Sequence, residues 1–124
     1  MSKTIVVADD QPGIISGVQF ALEDEDVVII KASDGREAWS KVSSIKPDLV
    51  ILDSMMPPSG KYEGIEICKR IKNDPDTKSI PVIMLTALGS KRDQEMAIEA
   101  GALDCVEKPF NSDALARKVK DIIG

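Results

Sequence analysis

Histidine is absent from this 124-residue chain, and only two cysteines, Cys68 and Cys105, are present. The first absence removes His-based catalytic triads and the commonest transition-metal ligand. The second, with no C-x-x-C spacing, leaves neither a disulfide framework nor a zinc site suggested. No apolar run approaches the roughly 18 residues of a membrane span. Met1 to Asp10 carries no basic region, no apolar stretch of signal length and no cleavage site. A cytosolic protein is expected. Lys and Arg form no block, and 16 basic against 21 acidic residues leave a net charge of −5. Binding to a phosphate backbone rests on clustered positive charge, so direct nucleic-acid contact is not expected. Neither G-x-G-x-x-G nor G-x-x-x-x-G-K-[ST] occurs, which leaves nucleotide binding without support.

What is present reads as one soluble globular domain over residues 1–124, with 43% hydrophobic and 30% charged residues. Short Val- and Ile-rich runs alternate five times with amphipathic stretches, the rhythm of an α/β fold. The strand candidates are Thr4 to Ala8, Val27 to Ala32, Leu49 to Leu52, Pro81 to Leu85 and, weakest in pattern, Leu103 to Val106. Runs apolar on successive residues suit strands covered on both faces, as in a parallel sheet. Helices are expected after each: from Pro12 with Ile15, Val18 and Leu22 inward; after Gly35 with Ala38, Trp39 and Val42 inward; and from Gly64 to Lys72. A fourth has Ser90 as N-cap, Asp93 three residues on and Gly101 at the C′ position; a fifth runs from Asn111 or Ser112 to Gly124. Right-handed crossovers of this length give an open, doubly wound sheet whose site lies outside the carboxyl ends of the strands.

Chemistry gathers where the strands end. Asp9 and Asp10 follow the first strand, Asp53 the third, Thr86 the fourth and Lys108 the fifth. In a parallel sheet all five fall at one end. Three carboxylates in a small space repel unless a hard cation joins them, and oxygen ligands suit Mg²⁺. Lys108 and the Thr86 hydroxyl add a positive charge and a donor for an anion. Together these describe phosphoryl transfer onto Asp53.

The segments VVADD (Val6 to Asp10), LVILDSMMP (Leu49 to Pro57), PVIMLTA (Pro81 to Ala87) and EAGALDCVEKPF (Glu99 to Phe110) resemble, in this order and spacing, the receiver domain of two-component response regulators. The resemblance spans essentially the whole chain and is chemotaxis-type in its single-domain form. It implies the flavodoxin-like (βα)5 fold with strand order 2-1-3-4-5 and a cis bond before Pro109. It further implies that Asp53 accepts phosphate from a phosphohistidine partner or a small phosphodonor. Asp10, Asp53 and the Met55 backbone carbonyl would bind Mg²⁺, with Asp9 reaching it through water. Lys108 would pair with the phosphoryl group, and the Thr86 hydroxyl and Ala87 backbone N–H would hold it afterwards. The implied partners are a sensor histidine kinase or a histidine phosphotransfer protein, then a downstream protein contacted through the fourth helix, fifth strand and fifth helix, with self-association as another output. Such a domain catalyses only its own phosphotransfer and slow self-dephosphorylation, so it is not expected to act as an enzyme on other substrates. With nothing following Gly124, output is expected through a partner, self-association or a domain outside this sequence.

Three departures from the family pattern stand out. Cys105 occupies the place, three residues before Lys108, where the family has Tyr or Phe; activation is then expected to rest on Thr86, its loop and the fourth helix. The segment between Asp53 and Gly64 is longer than usual, Pro58 to Glu63 carrying the excess, with Lys61 and Tyr62 as candidate donor contacts. Met55 and Leu88 are apolar where the family governs water access, which predicts slow phosphate loss because neither side chain orients water. Blander readings stand beside these. Asp9 or Asp10 could serve as a helix cap, Trp39 as core, and Cys68 as a small helix residue. The rival functions are a phosphorylation-independent binding module, against which the intact acceptor set argues, and an Mg²⁺-dependent aspartyl-phosphate phosphatase. The latter needs D-x-D, and the second place here is Met55.

Overall fold

β-Branched side chains restrict χ1 and favour extended backbone, so the Val/Ile runs form strands. The computed structural model describes residues 2–124; Met1, the first residue of the expected domain, lies outside the described residues. Five strands, β1 (Lys3–Ala8), β2 (Val27–Ala32), β3 (Leu49–Asp53), β4 (Val82–Ala87) and β5 (Asp104–Lys108), alternate with five helices. These are α1 (Pro12–Ala21), α2 (Gly35–Ile45), α3 (Glu63–Asn73), α4 (Lys91–Glu99) and α5 (Ser112–Ile123). The strands pair in parallel in the order β2-β1-β3-β4-β5. This is the expected flavodoxin-like arrangement, whose order reverses between β1 and β3.

Alternate residues of the central strands supply two cores. Val6, Val50, Leu52, Val82 and Met84 face α2, α3 and α4, while Ile5, Val7, Leu49, Ile51, Ile83 and Leu85 face α1 and α5. Each of β3's five residues is buried, as a strand covered on both faces requires. The edge strands β2 and β5 are only partly covered.

Strand ends differ from the sequence reading in one consistent way. Asp53, Thr86 and Lys108 belong to their strands and do not follow them. Parallel pairing continues through Asp53 with Leu85, Thr86 with Glu107 and Ala87 with Lys108. The polar side chain ends the apolar run, but backbone pairing does not depend on side-chain polarity. Pro81 and Leu103, counted as strand residues from their hydrophobicity, lie outside β4 and β5.

Helix ends follow local chemistry. The Asp34 carboxylate accepts from Glu37 N–H at 2.8 Å and the Asn111 side chain from Ala114 N–H at 2.9 Å. At the end of α4, Gly101 takes φ +105°. Gly101 N–H then reaches Ile98 O and Ala102 N–H reaches Ala97 O, each at 3.0 Å, the paired bonds of a Schellman stop. The long connection after β3 is ordered. Met56 and Gly60 exchange backbone bonds of 3.0 Å, and Gly35 N–H donates to Pro57 O at 2.8 Å, tying the loop to the start of α2. Glu63, assigned to the loop from sequence, is the first residue of α3; it is buried and accepts from Ser59 Oγ at 2.6 Å. The bonds before Pro109 and Pro58 are both cis, the first expected and the second not.

Candidate functional site

Parallel strands deliver their last residues to one edge, and the central strands β1 and β3 deliver acids. Asp9 follows β1 directly, and its side chain is fully buried. Its Oδ1 accepts from Gln11 N–H at 2.9 Å, so the helix-entry role and the site role coexist in one carboxylate. Among the described residues its buried Oδ2 has no hydrogen-bond partner, and it lies 3.7 Å from Lys108 Nζ. Asp53 ends β3, with Oδ1 accepting from Met55 N–H at 3.3 Å and Oδ2 3.2 Å from Lys108 Nζ. Asp10 is exposed, and one carboxylate oxygen from each of Asp9, Asp10 and Asp53 lies within 4.8 Å of the others.

Burial is the largest influence on Asp9 and pushes its pKa up to about 6. The Asp53 charge adds to the rise, while the Gln11 N–H and Lys108 oppose it. One ammonium therefore serves two buried carboxylates, and the arrangement is short of positive charge. A hard divalent cation fits this donor set: three carboxylates converge, and one buried oxygen is without a hydrogen-bond partner.

The Asp53 backbone is held by a residue the sequence reading treated only as loop punctuation. A Cβ on Gly64 would fall 1.9 Å from Asp53 O, so only glycine lets α3 start this close to β3. Gly64 N–H donates to Ser54 O at 3.1 Å and Ser54 N–H to Leu85 O at 3.0 Å, fixing the turn. Beside it opens a cavity of about 230 Å³ lined by Asp10, Gln11, Asp53, Ser54, Met55, Ala87, Asp93 and Lys108.

The chain matches the family described as the response regulator receiver domain over residues 5–120. It belongs to that family. The receiver chain is 39% identical over 99% of its length to the alkaline phosphatase synthesis transcriptional regulatory protein PhoP of Bacillus subtilis, covering 49% of that protein. It spans about half the length of the curated relatives it matches. Among solved structures, a response regulator from Chloroflexus aurantiacus superposes with TM-score 0.92 at 31% identity, covering 99% of this chain and 98% of that one. The chemotaxis response regulator CheY4 of Vibrio cholerae gives 0.87 at 28%, covering 98% and 99%. Receiver domains generally bind Mg²⁺ at an acidic pocket, and this receiver has an Asp cluster.

Of the residues singled out in the sequence, Asp9, Asp10, Asp53 and Lys108 converge in this receiver, with Met55 and Ala87 at the cavity. Thr86 is fully buried, and among the described residues its hydroxyl has no hydrogen-bond partner. Lys61 and Tyr62 are not among the residues lining the cavity. Lys61 Nζ instead sits 5.3 Å from the centre of the Tyr62 ring. Trp39 is half-buried, its ring covered by the Arg70 guanidinium at 4.4 Å, a mixed surface-and-core setting. Cys68 is buried among apolar residues, and burial pushes its thiol up to about 11, which keeps it protonated and unreactive. No described helix is long and apolar enough to cross a membrane. Three residues at the cavity, Gln11, Ser54 and Asp93, were missed as site residues by sequence reasoning, and Asp93 is the charged one among them. Its spacing from Ser90 marked it as a capping acid, yet only its backbone N–H meets Ser90 Oγ, at 3.4 Å.

Proposed function

We propose that this receiver is a phosphorylation-controlled signalling switch in which Asp53 accepts a phosphoryl group from a phosphohistidine donor. The observation that carries the reading is the Asp53 carboxylate beside an open cavity, 3.2 Å from Lys108 Nζ and grouped with two further acids. A carboxylate oxygen of Asp53 attacks phosphorus and forms the new P–O bond. The donor's P–N bond breaks, and its electron pair stays on the imidazole nitrogen. Lys108 balances charge developing on the phosphoryl oxygens. The Ala87 N–H and, after reorientation, the unpartnered Thr86 hydroxyl hold the product. Asp10, Asp53 and the Met55 carbonyl would hold Mg²⁺, with Asp9 acting through water; the ion would supply positive charge to the transferring group. Self-dephosphorylation is the attack of water on the same phosphorus, which restores the Asp53 carboxylate. The domain acts on its own phosphoryl group alone.

Output passes to a protein partner across α4, β5 and α5. Support comes from Ile98 and Leu103, both more than half exposed, and from a groove lined by Leu103, Asp104, Arg117, Lys118 and Ile122. Intact-mass spectrometry after incubation with acetyl phosphate, with and without Mg²⁺, tests the chemistry. The parent is expected to gain one phosphoryl group only with Mg²⁺, and Asp53→Asn none. Equal gain by both would place the acceptor elsewhere, and no gain by the parent would favour the phosphorylation-independent binding module.

A further inference from the structure

Resting on the phosphoacceptor reading, we infer that Asp93 is the charged contact through which a phosphoryl group on Asp53 displaces α4. Asp93 lies in the first turn of α4, is 7% exposed and lines the same cavity as Asp53 and Lys108. Among the described residues no hydrogen bond or ion pair reaches its carboxylate. The cation nearest in role, Lys108, is engaged by Asp9 and Asp53 at 3.7 and 3.2 Å. A carboxylate that makes no hydrogen bond or ion pair, on a residue lining a cavity that already carries Asp10 and Asp53, is poised to respond to added negative charge.

Phosphorylation replaces the single negative charge of Asp53 by a group carrying about −2. The Asp53 side of the cavity has little freedom. Its strand is buried throughout, and Gly64 is packed against its carbonyl. The α4 side buries fewer large apolar side chains, Met96 packing only in part against the core. Ala97 is the one apolar residue of α4 that is buried, whereas α3 buries Ile65, Ile67, Cys68 and Ile71. Repulsion between the phosphoryl group and Asp93 therefore moves the helix and not the strand. The aromatic residue that would otherwise link β5 to α4 is replaced by Cys105, whose thiol reaches only the Gln94 carbonyl at 3.8 Å. Charge at the first turn takes over that linkage.

Hydrogen exchange of the α4 amides, with and without acetyl phosphate and Mg²⁺, tests this in the parent, Asp93→Asn and Asp93→Glu, phosphoryl occupancy being read by intact mass. In the parent, exchange across Lys91–Glu99 is expected to rise roughly five- to tenfold on phosphorylation. At equal occupancy Asp93→Asn is expected to lose most of that rise, and Asp93→Glu to retain it. An unchanged response in Asp93→Asn overturns the inference while leaving the acceptor role of Asp53 intact. If the parent takes up no phosphoryl group, both fall. Should Asp93→Asn fail to fold by thermal melting, Asp93→Ser carries the same comparison, and a full response in it is equally fatal.

Discussion

At the scale of single residues, the site is a problem of charge held in too little water. Asp9 shows it most directly, since its folded pKa of about 6 lies above the ordinary carboxylate value of 3.8. The folded chain binds that proton more tightly than the unfolded chain does. In the absence of metal, the Asp9 contribution therefore destabilises the fold increasingly as pH rises from about 4 through about 6. A bound divalent cation removes this penalty but competes with the proton. The gain in Tm on adding Mg²⁺ is expected to be large above about pH 7 and to shrink towards about pH 5. Melting curves across that range check it, and a gain independent of pH would contradict it. Met55 acts at the other side of the chemistry. Its side chain is half exposed beside the cavity, and Leu88 is 73% exposed. Neither can accept a proton from water or orient it. Met55→Asn is expected to hasten phosphate loss by about tenfold, read as the decay of the phosphorylated mass, and an unchanged decay would show that the position does not govern water access.

At the scale of elements, the proposed response lies in α4 and β5, while the loop after β3 is tied down by hydrogen bonds. The sequence offered this loop, with Lys61 and Tyr62, as a donor contact. Its bridge between Met56 and Gly60, its bond to the start of α2 and the buried Glu63 make it an ordered brace. The Gly35–Pro57 bond joins residues far apart in the chain, and loop composition does not report it. The linkage between β5 and α4 is thin where Cys105 stands, half-buried beneath α4. Cys105→Tyr adds an aromatic ring able to follow Thr86 between inward and outward positions. Partner affinity is expected to depend on phosphorylation several-fold more strongly in that variant, measured by binding of the phosphorylated and unphosphorylated forms. No difference from the parent would make position 105 a bystander.

At the scale of the whole molecule, two apolar layers clamp the sheet so that only its carboxyl edge is left for polar work. Ile51 sits in the layer facing α1 and α5, fully buried. Ile51→Ala is expected to lower unfolding free energy by about 2–5 kcal/mol, against a domain total of about 5–15 kcal/mol. Urea unfolding checks this, and a loss below about 1 kcal/mol would mean the layer closes over the space. The sequence by itself determined the alternation of strands and helices, because β-branched runs and helical apolar spacing are local properties of the chain. It also determined which acids, hydroxyl and lysine stand at the strand ends. Tertiary structure alone decided that pairing runs on through Asp53, Thr86 and Lys108, since a ladder is made by backbone groups of neighbouring strands. It alone decided that Gly64 must be glycine, because the obstacle is a carbonyl eleven positions away in the chain. It alone turned Asp93 from a capping acid into a wall of the acceptor cavity. Spacing along a helix tells which residues share a turn, and only packing tells what that turn faces.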